Sequence, residues 1–351
     1  MHIIDSHFHW WPRSVSDSLC KRKAHPRAEV NNHGGYTYLR QQSGDYILNS
    51  WAEWFDLDKQ LEHMDGLRHE GLGRQVDVVC SIGPLSVYFS DLPGEEGRDL
   101  ATQWNEEMAG AQRKYPGRLW ASAAVPLVDT RIAIEVLDDA VGRLGLMGVN
   151  LPGSIGSDPR IDAERLEPFY ARVEELGLPV FLHPTDAVFV DMLDGYEGAL
   201  HLSLGRVVEV SVAAMRLVLS GMMERHPKLK IVMSHTGGAL PYQSGRMDKN
   251  SDKARLPRPA SHYLKRMYTD TVSPHAAGMK FAIDYYGVDN VMYGTDYPCW
   301  DPATALKLLA EVGLSKADQQ KIFYDNARRI LGLRDPRHSG AAQSVREPVP
   351  A

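Results

Sequence analysis

Two histidines, His7 and His9, stand at the end of the run Ile3-Ile4-Asp5-Ser6. Residues i and i+2 of a strand project from the same face. On a strand the two imidazoles therefore converge on one point, which is what a divalent metal requires. A lone His-x-His also fits surface decoration or a hydrogen-bonded core. Three more chemistry-bearing residues close strand-like runs: His183 after Pro179-Val180-Phe181-Leu182, His235 after Lys230-Ile231-Val232-Met233-Ser234, and Asp296 in Gly294-Thr295-Asp296-Tyr297-Pro298. Each has a plain structural explanation as well. His183 before Pro184 fits a strand cap, His235 before Gly237-Gly238 a turn, and Asp296 a helix N-cap. As a set, imidazoles and a carboxylate offer nitrogen and oxygen ligands and leave room for water or substrate, as at a catalytic zinc.

Such a set forms only if the strand ends meet. Short apolar, β-branched runs at 2–6, 76–82, 119–125, 146–151, 179–183, 230–235, 266–271 and 290–296 alternate with amphipathic stretches at 58–70, 98–114, 131–144, 162–176, 206–225, 275–286, 302–312 and 316–331. Strands alternating with helices imply parallel βα units and, most simply, an α/β fold closed as a (β/α)8 TIM barrel, whose C-terminal strand ends gather at one mouth. A doubly wound open sheet is the alternative, but it normally carries a Gly-rich phosphate turn after its first strand. Here that strand runs into His-Phe-His-Trp-Trp-Pro, and the chain has no GxGxxG or Walker motif.

Two segments break the rhythm. Residues 10–57 form a long insertion after the first strand, rich in aromatics (Trp10, Trp11, Tyr36, Tyr38, Tyr46, Trp51, Trp54, Phe55). Loops of this length are often functional, and the segment reads equally as a lid, a small subdomain, a structural cap or an oligomer contact. Residues 334–351 are Pro/Gly/Ser-rich and read as a disordered tail. The rest, 1–333, reads as one barrel domain.

The 351 residues are 43% hydrophobic and 24% charged, enough for a large core. A net charge of −6 and the absence of a basic cluster beyond Lys21-Arg22-Lys23 argue against nucleic acid. Cys20, Cys80 and Cys299 fit a reducing compartment rather than a disulfide framework. No basic region followed by an apolar run marks a secretory signal. The most apolar stretch, Val207 to Met223, is interrupted by Glu209 and Arg216 and reads as a buried helix, not a membrane span. A soluble, cytoplasmic protein without membrane partners is the expectation.

These motifs together resemble the amidohydrolase superfamily, in the branch typified by aminocarboxymuconate-semialdehyde decarboxylase. The resemblance runs from His7-Phe8-His9 to Asn326-Ala327. It includes Leu219-Ser220-Gly221, Glu224-Arg225 and Pro227, His235-Thr236-Gly237-Gly238, Gly245-Arg246, Pro257-Arg258-Pro259 and Gly294-Thr295-Asp296-Tyr297-Pro298. It implies that His7, His9, His183 and Asp296 bind one divalent metal, usually zinc, with manganese or iron as alternatives. His235 would be the acid/base beside a metal-bound water. Arg246 would reach into a neighbouring subunit's site and grip a substrate carboxylate, making the active form a homodimer. An ordinary surface ion pair is the plainer reading of Arg246.

The chain also departs from that pattern. The decarboxylase's second carboxylate-binding arginine aligns near Leu48, with Arg40 the nearest arginine, which puts the same dicarboxylate substrate in doubt. His-Thr-Gly-Gly replaces His-Gly-Gly-Gly. Trp10, beside the ligands, suggests an aromatic floor and a substrate contact, or simply packing. Strand four reads Val149-Asn150-Leu151 and offers no bridging carboxylate or lysine, which favours one metal. Asp270 and His275 are candidates to support the first ligands or to bind a second metal, as are His25 and His33. Cys299 has no base placed to activate it and reads as structural.

The leading expectation is metal-dependent, cofactor-free decarboxylation of an unsaturated or aromatic carboxylic acid. Hydrolysis or hydration at the same site is the alternative. Behind it stand oxygen chemistry at a dinuclear iron or manganese centre and a metal-stabilised subunit without catalysis.

Overall fold

The computed structural model describes residues 2–39, 47–67, 75–80, 90–185 and 189–333. Strand β1 (His2–Phe8) leads into a helix, Arg13–Cys20, and then three short strands, β2 (Arg27–Val30), β3 (Tyr36–Leu39) and β4 (Ile47–Asn49), which pair antiparallel as a separate sheet. The remaining strands are β5 (Gln75–Cys80), β6 (Leu119–Ala123), β7 (Gly148–Pro152), β8 (Pro179–His183), β9 (Lys230–Met233), β10 (Tyr268–Asp270) and β11 (Val291–Met292). With β1 they form one eight-stranded sheet in the order β1-β5-β6-β7-β8-β9-β10-β11, every pair parallel.

The two edges of that sheet are joined. Ser6 N–H donates to the Tyr293 carbonyl at 2.8 Å and His9 N–H to that of Tyr297 at 2.8 Å. The N–H groups of Thr295 and Asp296 donate to the His7 carbonyl at 3.3 and 2.7 Å. This is an α/β fold of the TIM-barrel type. Its last strand is shorter than the expected 290–296: past Met292 the ladder to β10 ends, Tyr293 N–H donating to the Ile322 carbonyl at 2.9 Å and Gly294 N–H to Thr271 Oγ1 at 3.1 Å.

Two cores hold the barrel. The larger lies between strands and helices; Leu100, Trp104 and Met108 on the helix Gly94–Lys114 bury their shared face there. That helix carries Glu95 and Glu96 in its first turn and Arg113 and Lys114 in its last, signs that match its dipole. The smaller core fills the barrel interior with Ile4, Met147, Phe181, Val232 and Met292, and Ala327, Ile330 and Leu331 pack against it from the C-terminal helix Asn326–Leu331. Large apolar side chains buried this fully contribute about 1.5–3 kcal/mol each. His183 lies two residues beyond Phe181 and so sits on the same inward face, above this core.

The expected long helix at 206–225 is two, Arg206–Leu219 and Met222–Arg225, broken at Gly221, whose φ is +78°. The helices Arg13–Cys20, Leu240–Ser251 and Ala260–Leu264 were not expected. Leu240–Ser251 holds Pro241, Gly245, Asn250 and Ser251, all poor helix formers; Pro241 sits in the first turn, where it is tolerated. The described residues of segment 10–57 contribute an aromatic cluster to the core. Trp11, Tyr36, Tyr38, Trp54 and Phe55 are buried, with Trp11 and Trp54 rings 4.2 Å apart, while Trp51 is exposed. Tyr46, Arg40 and residues 334–351 lie outside the described residues, as does the side chain of Leu48. Among the described residues, no helix is long and apolar enough to cross a membrane.

Candidate metal centre

Two strand ends, of β1 and β8, and the turn after β11 bring four side chains to a point. Ile4 faces the barrel interior, and Ser6 and His7 line the same small cavity there, beside His183 and Asp270. Simple alternation would send Ser6 and His7 to opposite faces. The pairing register of β1 against β5 shifts between Asp5 and Phe8, and such an irregularity re-aims side chains. Asp296 arrives through a different device. Its φ is +61°, so the turn after β11 is left-handed, and Asp296 N–H donates to the His7 carbonyl at 2.7 Å. Gly294 makes this approach feasible: a Cβ there would lie 2.8 Å from His7 Cβ and 3.0 Å from Asp270 Cβ.

The ligand-type atoms of His7, His9, His183 and Asp296 all lie within 4.8 Å of one another, and all four residues are buried. His7 Nε2 is 3.2 Å from both His9 Nε2 and Asp296 Oδ1, and His9 Nε2 is 2.7 Å from Asp296 Oδ1. A tetrahedral centre with bonds of about 2.0–2.1 Å has ligand–ligand edges of about 3.4 Å, so the set is of the right size for one ion. The outward nitrogens of His7 and His183 are occupied, as is usual for metal-binding histidines. His7 Nδ1 is 2.6 Å from Asp270 Oδ2, and His183 Nδ1 donates to the Pro184 carbonyl at 2.8 Å. His183 Nε2 is left buried, aimed inward and without a hydrogen-bond partner. A buried nitrogen lone pair in that position fits a cation.

The charges point the same way. Burial would raise the Asp296 carboxyl, but His7 and its hydrogen bonds to His235, His7 and His9 hold it well below the usual carboxylate range. Burial, then the neighbouring His9, His7 and His235, drive His183 well below an ordinary imidazole, so it is the neutral, ligating form. Burial opposes charge on His7 too, yet Asp296 and Asp270 outweigh it and push the pKa up to about 10. A cation entering here displaces that proton.

His235 stands beside the four. Its ring centroid is 5.2 Å from that of His7 and 5.5 Å from that of His183, and its Nε2 is 3.5 Å from Asp296 Oδ2. It is partly open, with its side chain 11% exposed. His235 and Thr236 both have positive φ, +54° and +55°, a conformation costing about 1–3 kcal/mol per residue. Asp270 offsets this cost: its carboxylate accepts the N–H of His235 at 3.1 Å, of Thr236 at 3.0 Å and of Val272 at 3.0 Å. One buried carboxylate thus orients both His7 and the His235 turn. Burial raises its pKa, but the His7 hydrogen bond and charge outweigh that and lower it.

The other candidates fall elsewhere. His275 is exposed and caps the helix Ala276–Tyr286, its Nδ1 accepting Gly278 N–H at 3.1 Å. Neither it nor His25 nor His33 joins a metal-sized group among the described residues. Trp10 lines an open groove of about 870 Å³ with Arg13, Glu53, Phe55, Glu107 and Lys114, a set that contains none of the four converging residues. The aromatic partner of the centre is instead Trp54, stacked on His9 with centroids 6.0 Å apart. Gln60, fully buried, donates from Nε2 to the His9 carbonyl at 3.1 Å. Trp54 carried only the signal of an aromatic-rich segment, and Gln60 carried none. Arg246 is exposed on the helix Leu240–Ser251 and makes no ion pair with any described residue. Cys299 N–H donates to the Asp296 carbonyl at 2.8 Å and tightens that turn.

The amidohydrolase family profile matches residues 4–333. A gamma-resorcylate decarboxylase of Rhizobium sp. (strain MTP-10005) is 31% identical over 250 residues, covering 67% of this chain and 76% of that protein. The 2-amino-3-carboxymuconate-6-semialdehyde decarboxylase of Dictyostelium discoideum is 27% identical over 344 residues, 95% of this chain and 92% of its own length. A dihydroxybenzoic acid decarboxylase from Polaromonas sp. JS666, solved with manganese and the inhibitor 2-nitroresorcinol, superposes with a TM-score of 0.75 at 23% identity, over 96% of this chain and 98% of that one.

Proposed function

This chain belongs to the amidohydrolase family, in the branch that holds the gamma-resorcylate and aminocarboxymuconate-semialdehyde decarboxylases, and on that premise we propose that it is a metal-dependent, non-oxidative carboxy-lyase acting on an aromatic or conjugated carboxylic acid. The observation that carries the reading is the buried His/His/His/Asp group with His235 beside it. His7, His9, His183 and Asp296 would hold one divalent ion, zinc in our reading, with manganese the alternative raised by the manganese-bearing neighbour. When bound, the ion supplies Lewis-acid stabilisation of substrate oxygens.

The protein groups do the rest. Asp270 fixes the His7 ring and the His235 turn. His235 gives a proton to the carbon that bears the carboxylate. The bond to the carboxyl carbon then breaks, its electron pair returns to the conjugated system, and carbon dioxide leaves. A substrate without conjugation at that carbon has nowhere to hold the charge. We read residues 1–333 as one domain and assign segment 10–57 a capping role, supported by Trp54 against His9.

Metal-loaded protein given a panel of hydroxybenzoic and conjugated acids in deuterated water is expected to release carbon dioxide one-to-one with a product bearing one deuterium at the vacated carbon. A product heavier than its substrate by one water, with no gas, would replace this reading with hydration or hydrolysis.

We further propose a homodimer in which Arg246 serves the neighbouring site. Its support is an exposed guanidinium without an ion pair among the described residues, on the helix that follows the His235 turn. A charge-assisted hydrogen bond to a carboxylate contributes about 1.5–3 kcal/mol. Arg246→Ala is therefore expected to raise KM about 10–100-fold. An active monomer, or an unchanged KM, counts against the assignment.

A further inference from the structure

One of the two charged residues that interrupt the chain's most apolar stretch, Glu209, turns to the barrel mouth. Glu209 lies on the helix Arg206–Leu219 and is 2% exposed. A buried carboxylate costs several kcal/mol unless hydrogen bonds and charges compensate it. Glu209 reaches across to the barrel mouth, where Oε1 accepts a short hydrogen bond from Thr185 Oγ1 and lies 3.3 Å from Ser154 Oγ. The two hydroxyls are themselves 2.7 Å apart, and both residues are buried. Thr185 is two residues past His183 at the exit of β8, and Ser154 is two past the end of β7.

The two exit turns that carry these hydroxyls also meet at the backbone of His183. Gly153 N–H donates to the His183 carbonyl at 2.9 Å. A Cβ on Gly153 would sit 2.6 Å from Glu209 Oε1 and 2.8 Å from its Cγ, so the carboxylate rests directly on this exit turn. Among the described residues His183 has no side-chain clamp of the kind Asp270 gives His7; its Nδ1 bonds to the carbonyl of the next residue. The exit turns therefore set its direction, and Glu209 ties both together.

We propose that Glu209 is a positioning residue for His183, acting through the hydroxyls of Thr185 and Ser154. The inference rests on the reading of His183 as a metal ligand. A purely structural Glu209, pinning a helix to the barrel, would set thermal stability without setting the affinity of the folded protein for a cation.

The two are separated with metal-free protein titrated with Zn2+ against a chromophoric chelator, alongside Tm without metal. Thr185→Val keeps the shape and removes the hydroxyl; Thr185→Ser keeps the hydroxyl. Loss of an outer partner typically costs 10–100-fold in metal affinity, so Thr185→Val is expected to weaken Zn2+ binding by about that factor, with Thr185→Ser near wild type. Glu209→Gln, which retains an acceptor, should lie between them if it folds. Wild-type affinity in Thr185→Val, or equal losses in the Val and Ser variants, would overturn the proposal while leaving the metal centre standing. Failure of the wild-type protein to bind Zn2+ at all would overturn both.

Discussion

His235→Ala is expected to lower kcat by about 10²–10⁴, the range that a positioned general acid contributes, while metal content stays at the wild-type level. His235 is not one of the four converging residues, and removing its ring takes away only a 3.5 Å approach to Asp296 Oδ2 while the contacts among the four remain. Its backbone N–H remains available to Asp270, so the turn that carries it keeps its anchor. The variant should still bind substrate, because the lost group acts on the carbon only when the proton moves. The KM should therefore change little against a large fall in kcat. Single-turnover rates and elemental analysis of the same preparation check this. Full activity in the variant would remove His235 from the mechanism.

Asp296→Ala should have an effect as large by a different route. It deletes the only carboxylate of the converging set and the anion that His7 and His9 both face. Three imidazoles remain, with His7 still tied to Asp270. Metal affinity is expected to fall by more than about 100-fold, the upper end of what outer partners cost, and activity should fall to that of chelated wild type. In contrast with His235→Ala, activity and metal content are lost together. A variant that keeps one tightly held ion and normal turnover would mean that Asp296 is not a ligand.

Much of the centre was legible in the chain because a barrel gathers strand ends. His183 could be placed from Pro179-Val180-Phe181-Leu182 alone, since alternation carries the inward face of Phe181 to His183. His7 was named for a partly different reason from the one that operates. Regular alternation suggested convergence with His9, but a register shift between Asp5 and Phe8 is what lets Ser6 and His7 share the interior. Asp296 suited a capping residue equally well, and only its left-handed turn against β1 shows why it points inward.

The supporting residues were hidden because their partners are far away in sequence. Asp270 is the exception: its strand-end position makes it a candidate to support the ligands, although its pairing with His7, 263 residues away, is not itself signalled. Gln60 and Trp54 reach His9 from a segment whose composition suggested aromatic packing but not its target. Glu209 looked like a flaw in an apolar helix, and its role depends on two exit turns that the helix pattern does not describe. His275 shows the reverse case. Its type and its place near a strand end suggested a ligand, yet the backbone it follows starts a helix, and capping that helix occupies its Nδ1.

The central claim is that one divalent ion, held by His7, His9, His183 and Asp296, makes this chain a decarboxylase. Metal-free protein titrated with Zn2+ or Mn2+, with carbon dioxide release followed on a responsive acid, tests it most directly. Activity should rise from near zero in proportion to added metal and level off at one equivalent per chain. Turnover that persists in metal-free protein, or that needs a second equivalent, would contradict the account.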